Sequence, residues 1–196
     1  MGYTRGMILF FLALIWTAVP ARADALFTKA VTEAAQAQTK EHVVYDGRYF
    51  KLAYPGGDVP PGTGVCTDVV IRAYRKAGLD LQVAVHEDMA NNFSVYPKNW
   101  GRRAPDPNID HRRVPNLMTF FTRRGASLPV THKAADYRAG DLVAWDLGGG
   151  VTHIGVVVAG PPGADKPMIV HNIGAGPKRE DVLFDWKVIG HYRYAP

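Results

Sequence analysis

Cys66 is the only cysteine among 196 residues, so no disulfide within the chain can staple the fold. The structure has to be held by a buried core instead. The N-terminus makes the thiol unusual. Arg5 supplies a positive leading region, Met7–Val19 is apolar apart from Thr17, and Ala21-Arg22-Ala23 is a small-x-small cleavage pattern. An exported protein usually carries paired cysteines or none, and a lone thiol is exposed to oxidation. A reason to keep it is therefore expected in its surroundings, Gly62-Thr63-Gly64-Val65-Cys66-Thr67-Asp68.

The apolar run has 13 residues, short of the roughly 20 that span a bilayer. Residues 1–23 are therefore expected to be a cleaved signal peptide that leaves no stable membrane anchor. The remainder, 24–196, is expected to be a single exported domain, periplasmic or secreted. Its 173 residues suffice for one real core. It keeps 21 basic and 18 acidic residues, a formal charge of +3. That mild charge is compatible with an anionic wall polymer without arguing for one. No Lys/Arg block exceeds two residues, and no nucleic-acid-binding motif is present.

Helical spacing of Leu26, Ala30, Val31, Ala34 and Ala37 predicts an amphipathic helix over 26–40. Residues 43–54 are aromatic-rich, and Gly and Pro keep 58–64 in a loop. Val65, Val69, Ala73 and Ala77 form an i+4 stripe, so a helix over 65–77 is expected, closed by Gly78. Residues 84–137 read as an irregular but ordered stretch with one short helix, 115–124. Four strands follow, at 142–147, 153–159, 168–173 and 188–194, with short connections that predict an antiparallel meander. Helices first and strands later make this an α+β domain with helices on one side of the sheet.

This pattern places Cys66 in the first turn of a helix, where unpaired N–H groups and the positive dipole end favour a thiolate. Its pKa is therefore expected to fall. His153 and His171 each sit at a strand end beside a turn. An imidazole next to a thiol makes a competent nucleophile, and a second polar group on that imidazole orients it. The competing readings are an inert buried cysteine and two structural histidines.

Tyr54-Pro55-Gly56-Gly57, Val65-Cys66-Thr67-Asp68-Val69-Val70, Gly140-Asp141-Leu142-Val143-Ala144-Trp145, Thr152-His153-Ile154-Gly155 and Val170-His171-Asn172 together resemble the papain-like NlpC-type cell-wall cysteine peptidases. Tyr54–Asp58, Asp106–Leu117, His171–Gly174 and Gly190–Tyr194 further resemble the YijF-like bacterial family of unknown function. The resemblance implies a papain-like fold with Cys66 as nucleophile, His153 as general base and acid, and His171 as the orienting residue. It also implies that Tyr54 sits near the oxyanion site, joined there by the Cys66 N–H. Asn172 lies on the strand of the third residue and is a further site candidate.

Two departures bear on the chemistry. Thr67-Asp68 replaces the family's Ser-Gly, and Val65 replaces its Asp. Asp68 is expected either to raise the thiol pKa or to bind a substrate ammonium. Residues 84–137 form an insertion expected to border the cleft. Within it His111, Arg112 and Arg113 read as a substrate clamp for carboxylates, against a solvated loop pinned by an Asp–Arg pair.

The expected function is hydrolysis of an amide bond in peptidoglycan stem peptides or another peptide, by a monomer without cofactor or metal. An inactive papain-like module that binds cell wall is the alternative. A zinc site from His111, His153, His171 or His191 has no ligand-spaced motif behind it.

Overall fold

Helix α1 (Ala18–Gln38) lies along helix α2 (Cys66–Lys76), and the two form one wall of the core. The computed structural model describes residues 18–196. The expected signal peptide, 1–23, falls for the most part outside them. Where it is described, the helix begins eight residues before the predicted start at Leu26. The inward face keeps Val31 and Ala34 of the predicted stripe but is rotated away from Leu26 and Ala37. Val31 and Ala35 are buried with Phe27 and Ala34 against them, whereas Leu26 is 60% exposed. The Gln38 side-chain amide donates to the Val69 carbonyl at 3.0 Å, which sets the rotation of α1 on α2.

Helix α2 runs as its apolar stripe predicts. The Gly78 N–H donates to the Arg75 carbonyl and the Leu79 N–H to Tyr74, with Gly78 at φ 101°, the left-handed closure expected of a glycine after a helix. Helix α3 (Leu81–Asn92) was not expected, since most of it falls in the 84–137 stretch that reads as irregular. It has two clear causes: the Asp80 side chain caps it by accepting the Gln82 N–H, and Leu81, Val85 and Met89 form a buried i+4 stripe. Helix α4 (Val114–Arg123) opens with Pro115 in its first turn, as expected.

Two short strands, β1 (Val44–Tyr45) and β2 (Thr63–Gly64), pair in parallel and bring Tyr45 opposite Gly64. The main sheet holds β3 (Leu142–Asp146), β4 (Thr152–Val158), β5 (Met168–His171), β6 (Lys178–Glu180) and β7 (Lys187–Tyr192). Its order is β6-β5-β4-β3-β7, antiparallel throughout. The expected meander holds from β3 to β5. The last strand then returns to pair with β3 on the far side instead of extending the series, and polar β6 takes the edge beyond β5. A three-residue charged segment has no alternating pattern to announce it.

Alternation along the strands separates two apolar layers. Ala144, Ile154, Val156, Val158 and Val170 face the helices, and Val143, Trp145, Val157 and Ile169 face Leu183 and Tyr137. Gly155 leaves no room for a side chain between β4 and β5. A Cβ there would stand 2.6 Å from Ile169 and 3.1 Å from the His171 Cβ, so a side chain would push β5 and His171 away. The result is an α+β arrangement: a helix with the cysteine in its first turn, packed against an antiparallel sheet that carries the histidines. Among the described residues no helix is long and apolar enough to cross a membrane.

Candidate active site

Cys66 is the first residue of α2 and is 5% exposed. The backbone N–H groups of Ile154, Thr67 and Cys66 itself favour the thiolate. The thiol thus lies against the main chain of the residue following His153. Burial nevertheless outweighs these donors and pushes the thiol up to about 11. The expectation of a depressed pKa is corrected on this point. A helix start lowers a thiol pKa when water still reaches the sulfur; here the sulfur is enclosed.

His153 and His171 meet through their rings, Nε2 of the first to Nδ1 of the second at 2.7 Å. His171 Nε2 in turn contacts Glu180 Oε2 at 2.9 Å. A carboxylate only accepts hydrogen bonds, so His171 Nε2 carries the proton and its Nδ1 is a bare acceptor. His153 Nε2–H then donates to it, which leaves His153 Nδ1 unprotonated. Burial, and then the nearness of the second imidazole at His171, push His153 down to about 3. Burial likewise lowers His171, while Glu180 opposes the shift. Both rings are neutral at pH 7. Trp145 stacks on His153 at 5.6 Å between centroids, and Trp186 stands edge-on at 6.0 Å. The thiol and the His153 ring make no hydrogen bond to each other among the described residues.

A cleft of about 220 Å³ opens beside the sulfur. Tyr45, Trp100, Arg113, Pro115 and Thr152 are among its lining residues. Residues 84–137 therefore border it, as expected. Tyr45 is 44% exposed, and the neighbouring Cys66 raises its pKa after burial does. Tyr54 is not a lining residue. It packs against His86 at 5.2 Å on the α3 side. The tyrosine beside the thiol is Tyr45, brought there by its pairing with Gly64.

The other expected site residues divide sharply. Arg112 and Asp68 form a buried two-pronged ion pair at 2.9 and 3.0 Å. Asp68 Oδ2 also accepts the Val65 N–H at 2.7 Å. Arg112 donates further to the Arg48 and Asp46 carbonyls. Both oxygens are bonded inside the protein and Asp68 is buried, so it does not present itself to a substrate ammonium; its charge adds to the rise of the Cys66 thiol, the other expectation for it. His111 is 2% exposed, burial holds it at about 4, and it does not line the cleft. Asn172 donates to the Gly64 carbonyl at 3.2 Å and accepts the Gly174 N–H, so it ties the loop before Cys66 to the end of β5. Of the expected clamp Arg112 and Arg113 both line the cleft. Arg112 is committed to Asp68, whereas Arg113 holds its guanidinium 3.9 Å from the Trp100 ring centre.

Glu180, Tyr45 and Trp186 are the residues sequence reading missed. Tyr45 lies in the aromatic-rich 43–54 stretch, but the Tyr-Pro-Gly-Gly match draws attention to Tyr54. Glu180 and Trp186 sit in a charged edge strand and a turn without any pattern. His191 accompanies neither histidine of the site; its Nε2 meets Asp141 at 2.8 Å beside Arg193.

Residues 32–194 match the family described as Domain of unknown function (DUF1287). The chain belongs to this family. Among curated relatives, the uncharacterized protein YijF of Escherichia coli (strain K12) is 53% identical over 165 residues, which cover 84% of this chain and 80% of YijF. Among solved structures, NlpC1 from Trichomonas vaginalis matches with a TM-score of 0.46 at 13% identity, over 85% of this chain and 44% of that one. In this DUF1287 chain the relay, the thiol and the cleft all lie within the matched residues.

Proposed function

We propose that this chain is an exported cysteine hydrolase that cleaves an amide bond in peptidoglycan stem peptides. The observation that carries the reading is the Glu180–His171–His153 chain. Its tautomers leave a bare imidazole nitrogen on His153, whose neighbour Ile154 favours the thiolate through its backbone N–H. At rest, thiol and imidazole are both neutral. As the sulfur attacks the substrate carbonyl, His153 Nδ1 takes the thiol proton. The imidazolium is stabilised through His171 and the Glu180 carboxylate. The negative oxygen of the tetrahedral adduct is met by the Cys66 N–H and the Tyr45 hydroxyl. His153 then protonates the leaving amine and the C–N bond breaks, giving a thioester. Water, deprotonated by His153, cleaves the thioester and restores the thiol.

The second reading, a wall-binding module without turnover, is favoured by the high thiol pKa and the missing thiol–imidazole bond. Peptidoglycan digestion by the wild type and by Cys66→Ala, read by mass spectrometry, separates the two. Fragments released by the wild type alone support the hydrolase. Equal release by both proteins, or none by either despite binding, refutes it.

A further inference from the structure

Arg113 is unlike every other charged group around the thiol. Arg112 is paired with Asp68, and Arg102 with Asp106 at 2.6 Å. Asp110 accepts the Asp106 N–H and lies within electrostatic range of Arg113 without forming an ion pair. Among the described residues Arg113 has no ion-pair partner, and none of its side-chain N–H groups is bonded to protein. It is half-buried, and both burial and the nearby Arg102 act against its charge. A cation held this way is a cost to the fold unless something compensates it. Contact with the Trp100 ring supplies part of that and fixes the guanidinium in place. The five N–H donors remain, in the forked geometry that matches a carboxylate.

We propose that Arg113, backed by Trp100, is a carboxylate-binding subsite of the Cys66 cleft, selecting ligands that carry a carboxylate close to the atom presented to the sulfur. The inference rests on the reading that Cys66 faces a ligand cleft, and it narrows the substrate to acidic peptides over their amidated counterparts. Turnover is not needed for it to hold.

The thiol itself is the reporter. Iodoacetate and iodoacetamide alkylate sulfur by the same displacement of iodide and differ only in carrying a carboxylate or an amide. Rates of Cys66 alkylation by each, measured by mass spectrometry on the full chain at pH 9, give a ratio. Arg113→Gln is expected to lower the iodoacetate-to-iodoacetamide ratio about tenfold, the scale of one charge-assisted contact. The iodoacetamide rate should stay unchanged. Arg113→Lys should fall between the two, and added salt should lower the ratio in the wild type and not in Arg113→Gln. Circular dichroism checks that the variants are folded; if the glutamine variant is not, the lysine variant and the salt series carry the test. An equal ratio in wild type and variant overturns the subsite. So does failure of either reagent to reach Cys66 in the folded chain. Loss of the hydrolase reading shows differently, as absent peptidoglycan turnover with the alkylation ratio intact.

Discussion

Arg112 holds both oxygens of Asp68, Nε to Oδ1 at 2.9 Å and Nη2 to Oδ2 at 3.0 Å, with both side chains almost fully enclosed. Asp68 in turn accepts the N–H of Val65, the residue before Cys66. The acid that stands where the NlpC-type pattern has glycine is thus a fastening for the start of α2. Removing one partner leaves a buried charge alone. Asp68→Ala and Arg112→Ala are each expected to destabilise the fold by about 3–5 kcal/mol, read by urea unfolding. A loss near zero for either would show that the pair does not hold the loop.

Thiol reactivity follows from burial. With Cys66 at about 11, alkylation by iodoacetamide should climb steadily from pH 7 to pH 10 without a plateau. A rate that levels off below pH 8 would mean a thiolate is already formed at rest.

Glu180 sets the protons of both rings, and this is measurable without substrate. In ¹⁵N spectra, wild-type His171 should carry its proton on Nε2 and His153 should show a bare Nδ1. Glu180→Ala removes the acceptor, so the His171 tautomer should become mixed and peptidoglycan turnover should drop about 10²-fold, the lower range for a disturbed general base. Glu180→Gln, whose carbonyl still accepts, should restore the His171 tautomer and part of the rate. An unchanged His171 spectrum in Glu180→Ala would refute the relay.

The two tyrosines give a direct contrast. Tyr45→Phe should lower turnover about 10²-fold, the lower range for loss of an oxyanion donor, while Tyr54→Phe should leave it unaltered, since Tyr54 packs on His86 away from the cleft. The reverse outcome would return the role to Tyr54.

Acid stability provides a further check. His153 is held down from 6.5 to about 3, so between those values the unfolded chain binds a proton that the folded chain refuses. The stability this contributes is full above pH 6.5 and lost as pH falls toward 3. Tm should fall over this window, and His153→Gln should flatten the slope. An identical pH dependence in the variant would mean His153 is not buried neutral.

The Cys66 helix, its closing glycine, α4 and four strands were legible in the sequence, and Cys66, His153 and His171 stood out there as site candidates. Each rests on local rules: i+4 stripes, a glycine after a helix, short Val/Ile runs between turns, and a cysteine at a helix start. Tertiary structure decided the rest. The pairing of β1 with β2 chose Tyr45 over Tyr54, because tyrosine placement depends on which distant strand the backbone joins. The edge strand β6 brought Glu180 to His171, although nothing in Lys178-Arg179-Glu180 marks a partner nine residues away. Burial reversed the thiol's expected pKa, since a helix start is a local property and solvent access is not. The adjacent arginines diverged for the same reason: Arg112 turns inward to Asp68 and Arg113 outward to Trp100, and only packing distinguishes them.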